Sequence, residues 1–320
     1  MSSTLNRIPI VDFGALSLDH DQTPGENEPN VKELAKQMFD AFSTVGFVYI
    51  TNHGMTVKTI DSAFYAADQF FQLSYDVKDK YSKTAGENPN GWDAIERESP
   101  NPERAGDLKE SYDSRDFFED DYLWPTAEVP QFKDLLMNFQ REAHRLSLRV
   151  LYAIAIGLNL DPHTFDYAFQ NTGTRKGGTQ MRFNYYPQLE DTKQVKPGQL
   201  RCGEHTDYGA LTLLFQDQCG GLEVLSPEGE YMPATPIEGS IIVNIADIMQ
   251  RWTSDKLISA RHRVVVSEKE ITYLKPRRSI AYFLRADQDA LIECLDGSAK
   301  YPPITGGQHV WMKLHSTYNF

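Results

Sequence analysis

The residues best suited to chemistry lie in Gly203-Glu204-His205-Thr206-Asp207-Tyr208-Gly209. In an extended chain alternate side chains share a face, so His205 and Asp207 can approach one metal ion together. His262, in Ser259-Ala260-Arg261-His262-Arg263-Val264, offers a third ligand 55 residues beyond Asp207, at the entrance of a later β-like run. Sheet topology readily joins strands that far apart. Two imidazoles and one carboxylate leave three coordination positions open, which suits iron(II) binding a chelating co-substrate and oxygen together. A structural zinc site would be closed by four protein ligands, commonly cysteines. A His-x-Asp by itself also occurs by chance on surfaces. His20, His53, His144, His163, His309 and His315 have no such spacing and read as surface or packing residues.

Arg277-Arg278-Ser279 opens an apolar run, Ile280-Ala281-Tyr282-Phe283. Period two puts Arg277 and Ser279 on one face and Arg278 on the other. A guanidinium fork with an added hydroxyl suits one carboxylate, although a rim arginine facing an acidic neighbour would look the same. Charge favours the first reading. Iron(II) with one aspartate carries about one net positive charge, and a bound dicarboxylate makes the assembly negative, so burial demands a further cation near the far carboxylate. Arg277 meets that demand. Asn184 and Tyr186, in Phe183-Asn184-Tyr185-Tyr186-Pro187, share a face and could donate to the same ligand, although tyrosine-rich strands are also ordinary core material.

The elements that must position these residues change character along the chain. The first half reads as helical: 31–45 with apolar residues at helical spacing and Gly46 as its stop, then 57–80, then 132–158. A short strand, 47–50, is closed by Asn52-His53-Gly54. Residues 84–121 are rich in Gly, Pro, Asn and charge with no clear period, which predicts a disordered segment or a functional loop. From Met181 short β-like runs follow one another at 181–186, 211–215, 222–225, 240–245, 263–267 and 279–284, punctuated by turn residues. The fold expected is mixed α and β: a jelly-roll core over 176–320 with a mostly helical section over 1–175 wrapped around it as one integrated unit.

Composition narrows the partners. A net charge of −13 over 320 residues argues against nucleic acid, because neutralising phosphates requires a basic field. The three cysteines, Cys202, Cys219 and Cys294, include no CxxC pair, so neither a disulfide framework nor a thiolate zinc site is indicated. The polar start, 1–6, runs directly into Ile8-Pro9-Ile10-Val11 and leaves no room for a signal-peptide core. The longest apolar run, 150–158, is too short to span a bilayer. A soluble cytoplasmic protein acting on a small molecule is expected.

These segments together resemble the isopenicillin N synthase-like class of iron(II)/2-oxoglutarate oxygenases. The resemblance runs from Ile8-Pro9-Ile10-Val11-Asp12-Phe13 and Gly46-Phe47-Val48-Tyr49-Ile50 through Asn184-Tyr185-Tyr186-Pro187, His205-Thr206-Asp207 and Gly220-Gly221-Leu222. It continues with Asn244-Ile245-Ala246-Asp247, His262-Arg263-Val264 and Arg277-x-Ser279. Around 203–217 the chain is also similar to fungal thymine 7-hydroxylase-type enzymes.

The resemblance implies a double-stranded β-helix with iron held by His205, Asp207 and His262. It further implies that 2-oxoglutarate places its distal carboxylate at Arg277 and Ser279, with Tyr186 and Asn184 assisting. The implied activity consumes oxygen and 2-oxoglutarate, releases succinate and carbon dioxide, and hydroxylates, desaturates or cyclises a small metabolite, as in secondary metabolism. In this family variable helices and loops shape the substrate pocket, which makes Trp92, Glu110, Tyr112 and Phe117 the substrate candidates. Arg278 departs from the Tyr or aliphatic residue often found there and is expected to face away from the ligand. Two other readings stand beside this one: an oxidase of the same fold that needs no 2-oxoglutarate, and a non-catalytic binding module. The module would be expected to lack one of His205, Asp207, His262 or Arg277, and all four are present.

Overall fold

Alternation of buried and less buried side chains turns the C-terminal runs into strands that thread between two sheets. The computed structural model describes residues 7–84, 90–98, 105–115, 117–118, 122–189, 195–266 and 275–317. The strands are β1 (Ile10–Asp12), β2 (Phe47–Thr51), β3 (Gly91–Asp93), β4 (Glu110–Ser114), β5 (Gln180–Tyr186), β6 (Cys202–His205), β7 (Leu211–Gln216), β8 (Leu222–Leu225), β9 (Tyr231–Pro233), β10 (Ile241–Ile245), β11 (His262–Val264) and β12 (Arg277–Leu284), followed by the small pair β13 (Leu291–Ile292) and β14 (Ile304–Thr305). An eight-stranded sheet has the order β1-β2-β10-β7-β12-β5-β4-β3, and a four-stranded sheet the order β6-β11-β8-β9. From β5 to β12 the chain crosses repeatedly from the larger sheet to the smaller and back, the threading of a jelly roll. The run read at 263–267 is the strand β11; its last position, 267, lies outside the described residues.

The helices are α1 (Pro29–Thr44), α2 (Val57–Phe71), α3 (Tyr75–Asp79), α4 (Phe132–Gly157), α5 (Asp247–Trp252) and α6 (Gly306–Thr317). The outer face of the large sheet packs against α1, α2 and α4, while α5 and α6 lie by the β13–β14 pair. Pro29 starts α1 where its missing N–H has no intrahelical partner in any case. Val31, Leu34, Met38 and Phe42 then form the buried stripe. Gly46 stops the helix with φ +76, at a place where a Cβ would lie 2.2 Å from the Ile258 carbonyl oxygen. The single helix expected over 57–80 is instead two, α2 and α3. The chain turns at Gln72–Ser74, and Lys78 reaches back to the Phe71 carbonyl at 3.2 Å and to Glu110 at 2.5 Å.

The region expected as a loop at 84–121 contributes β3 and β4, which extend the large sheet beyond β5. Register fixes what faces where. Trp92 pairs with Tyr112 and Tyr112 with Phe183, all toward the helices. Asp93, Ser111 and Asp113 alternate onto the inner face with Asn184 and Arg182. On the helix side Phe70, Tyr112 and Phe132 meet edge-on or tilted at 4.9 to 5.7 Å, contacts worth about 0.5–1.5 kcal/mol each beyond their burial. Among the described residues no helix is long and apolar enough to cross a membrane.

Candidate active site

β6 and β11 are antiparallel neighbours in the smaller sheet, and their register sets His262 directly opposite His205. Facing positions on such strands bring side chains within contact distance. The two rings lie 4.3 Å apart between centroids. Asp207 follows β6 by two residues and sends Oδ1 to 3.7 Å from the Nε2 of each imidazole. Among the described residues this is the group of histidine and carboxylate side chains able to share a metal ion.

The partners of each side chain aim its donor atom. His205 Nδ1 sits 2.8 Å from the Gly203 carbonyl and His262 Nδ1 3.2 Å from the Ala260 carbonyl. A carbonyl can only accept, so each Nδ1 carries a hydrogen and Nε2 is the ring nitrogen left to face a metal. Asp207 Oδ2 accepts from Thr212 Oγ1 at 2.6 Å and from Asn244 Nδ2 at 2.8 Å. Oδ1 remains for the ion. Burial disfavours charge on both rings. For His205 it is outweighed by Cys202, Asp207 and the Gly203 carbonyl, and the pKa rises to about 10. His262 is lowered to about 4 by burial and by the neighbouring His205. Burial also opposes ionisation of Asp207, but the two imidazoles, Thr212 and Asn244 hold its pKa below the ordinary carboxylate value. A metal-free triad therefore keeps one proton on His205, which an incoming cation must displace.

Arg277, Ser279, Asn184 and Tyr186 come together on the inner face of β5 and β12. Arg277 pairs in register with Tyr186, and Ser279 with Asn184. Only 1 % of Arg277 is exposed. Its Nε donates to the Gly220 carbonyl at 2.6 Å and Nη2 to Gln216 Oε1 at 3.3 Å, while the guanidinium lies 4.7 Å over the Tyr186 ring. Ser279 Oγ is 3.5 Å from both Arg277 Nη1 and Asn184 Nδ2. No carboxylate among the described residues pairs with this cation. Arg278 faces the other way, bonded to Asp68 of α2 and 3.6 Å from Asp217, so its replacement of an aromatic or aliphatic residue leaves the inner face intact.

Comparison with known proteins gives the same reading. The family profile of the 2OG-Fe(II) oxygenase superfamily matches residues 177–286, and that of the non-haem dioxygenase in morphine synthesis N-terminal region matches 8–132. The 2-oxoglutarate-Fe(II) type oxidoreductase ppzD of Metarhizium majus is 32% identical, covering 99% of this chain and 98% of its own. The chain belongs to the 2OG-Fe(II) oxygenase superfamily. The proline hydroxylase buaE of Petromyces alliaceus is 34% identical over 93% of this chain and 96% of its own. The full-length Neurospora crassa thymine 7-hydroxylase, crystallised with alpha-KG, superposes with a TM-score of 0.85 at 32% identity, covering 99% of this chain and 98% of that one. The same Neurospora protein has also been solved with alpha-KG and thymine. This oxygenase is an enzyme that uses iron(II), 2-oxoglutarate and dioxygen.

The donor set of the oxygenase fits iron(II): borderline imidazole nitrogens and a hard carboxylate oxygen, all from one side. Trp92, Glu110 and Tyr112, named as substrate candidates, face the helices, and Phe117 lies in the same core. Trp92 Nε1 donates to Glu110 at 2.7 Å, and Glu110 takes Lys78 as its second partner. Tyr112 packs between Phe70 and Phe132. Phe117 stacks edge-on with Phe118 in the same helix-side core. For Trp92, Glu110 and Tyr112 the physical cause is strand parity: in β3 and β4 they take the outer face, while Asp93, Ser111 and Asp113 take the inner one. Thr212 and Asn244, absent from the sequence candidates, hold Asp207. Asn244 lies in a segment that carried the family resemblance, but nothing local in sequence names its partner.

Proposed function

We propose that His205 and His262 through Nε2, and Asp207 through Oδ1, hold the iron(II), and that Arg277 and Ser279 receive the distal carboxylate of 2-oxoglutarate with Tyr186 and Asn184 beside it. The reaction oxidises a small organic molecule by hydroxylation, desaturation or ring closure, with release of succinate and carbon dioxide. The observation that carries this reading is the convergence of three metal-ready donor atoms, with a buried guanidinium on the inner face of β5 and β12 that no carboxylate among the described residues pairs with. When bound, the metal supplies activation of dioxygen coupled to decarboxylation of the 2-oxo acid.

The chain's own residues supply position and charge. The Nδ1 hydrogen bonds lock both imidazoles in the tautomer that coordinates. Thr212 and Asn244 keep Asp207 ionised and turned toward the rings. Arg277, held by the Gly220 carbonyl and Gln216, balances the excess negative charge that the diacid brings and fixes its depth in the barrel. The residues 1–175 and 176–320 act as one integrated unit in this reading, since β1 to β4 of the first section complete the sheet that carries Arg277. A small-molecule substrate is supported by the thymine complex of the Neurospora relative and by the proline hydroxylase, and three free cysteines support a cytoplasmic setting. Anaerobic titration of the iron-loaded protein with 2-oxoglutarate tests the co-substrate assignment. Arg277→Leu is expected to weaken 2-oxoglutarate binding by at least about thirtyfold, the effect of truncating one partner of a buried charge pair; unchanged affinity would reject the assignment.

A further inference from the structure

Beyond β12, on the same face as Arg277 and Ser279, lies a second buried guanidinium that the co-substrate does not use. Arg285 is 8 % exposed, and among the described residues its one side-chain acceptor is Gln180 Oε1 at 2.7 Å from Nη1. Its buried Nε has no partner. The neighbouring cations are arranged otherwise. Arg182 grips Asp113 at 2.6 and 2.7 Å and Glu98 at 2.9 Å, and Lys83 reaches Asp113 at 2.6 Å. The buried Arg149 is engaged by the carbonyls of Leu16, Ser17 and His20. Among the described residues Arg285 alone of these has a single acceptor, a neutral amide, and leaving a buried guanidinium so poorly matched is costly unless another acceptor arrives.

Its placement says where that acceptor comes from. The Arg285 stem passes beside Gly209, two residues from Asp207, where a Cβ would lie 3.0 Å from Arg285 Cγ and 2.5 Å from the Leu284 carbonyl oxygen. The guanidinium stands 5.5 Å over the Phe283 ring, and Phe283 pairs in register with Thr212, the residue that bonds Asp207. Burial, then Arg115 and Arg182, lower its pKa to about 9 against the opposing pull of Asp113 and Asp207, so it remains a cation at neutral pH. Arg277 is eight residues back along the strand, about 26 Å in extended chain. A molecule as small as 2-oxoglutarate cannot engage both.

We propose that Arg285 is a specificity-determining residue whose guanidinium binds a carboxylate of the primary substrate, on the side of the triad away from Arg277. This rests on the reading of the metal centre given above and adds the substrate class: a small organic acid. Gln180 is the positioning residue that holds Nη1, and Phe283 supplies the apolar wall beside the charge.

The test is succinate release stimulated by a panel of free amino acids, L-proline among them, and short aliphatic and aromatic acids, each beside its primary amide. Acids are expected to stimulate and amides not. Arg285→Leu should raise KM for the best acid by about thirtyfold or more while shifting any response to its amide by less than about threefold. Arg285→Lys keeps the charge but loses the planar fork and should fall between; it decides the matter if the leucine variant melts below the assay temperature. The proposal is overturned if neutral compounds are the better stimulators, if no acid in the panel stimulates, or if both variants keep the wild-type preference. The visible absorption band of wild-type protein with iron(II) and 2-oxoglutarate, recorded anaerobically, separates the two readings. Without the band the metal centre itself is misread; with the band and no preference for acids, only the role of Arg285 fails.

Discussion

Replacing Thr212 with Val keeps the shape of the side chain and removes one of the two donors that hold Asp207 Oδ2, the hydroxyl at 2.6 Å. A hydrogen bond to a charged group contributes about 1.5–3 kcal/mol, which corresponds to roughly 10- to 150-fold in an equilibrium constant. Partners that orient a metal ligand show a similar range, about 10- to 100-fold in metal affinity. Asn244 still donates at 2.8 Å, so Asp207 is not left bare and the lower part of that range is expected for the single change. The assay is anaerobic iron(II) titration at saturating 2-oxoglutarate, read from the visible charge-transfer band. Thr212→Val should raise the iron Kd about tenfold, and Thr212→Ser should restore it. Asn244→Leu should have a comparable effect, and the double variant should depart from additivity because both donors serve one oxygen. A Thr212→Val protein whose iron Kd stays within about twofold of wild type would refute the argument that these bonds orient the carboxylate.

Iron binding should release about one proton, because His205 is held protonated up to about pH 10 in the metal-free protein. Affinity should then rise about tenfold per pH unit between about pH 6.5 and 8.5, as measured by anaerobic titration; a flat profile contradicts a protonated His205. His262, lowered to about 4, and Asp207, lowered below its ordinary value, do not titrate in that window. Lys78→Met strands Glu110 beside Trp92 in the helix-side core and should cost about 3–5 kcal/mol, seen as a fall in the unfolding midpoint. Arg278→Ala breaks a partly exposed pair with Asp68 on the outer face, so it should change stability by no more than about 1 kcal/mol and leave 2-oxoglutarate affinity within about twofold.

What could be read from the sequence was what is local. His205-x-Asp207 and Arg277-x-Ser279 show their shared face through strand parity alone, and His262 sits at the mouth of a visible β run. The apolar helices were legible for the same reason. β3 and β4 were not, because their inner face carries Asp93, Ser111 and Asp113 in place of apolar residues, the two aspartates matched by Lys83 and Arg182. Ion pairs there replace the hydrophobic alternation that marks a strand. The same substitution hides which way two aromatics face: Trp92 and Tyr112 look available in a polar loop but are the apolar backs of strands. Thr212 and Asn244 escaped notice because their partner is 5 and 37 residues away on other elements. The break between α2 and α3 depends on Lys78 finding Glu110 across the fold, a contact that no helical period records.

The central claim is the common grip of three distant side chains on one ferrous ion, and removal of the most distant tests it most directly. Wild-type protein given iron(II) and 2-oxoglutarate without oxygen should develop the charge-transfer band, and folded His262→Ala should not develop it at the same iron concentration. An alanine variant with the wild-type band and wild-type iron affinity would contradict the account.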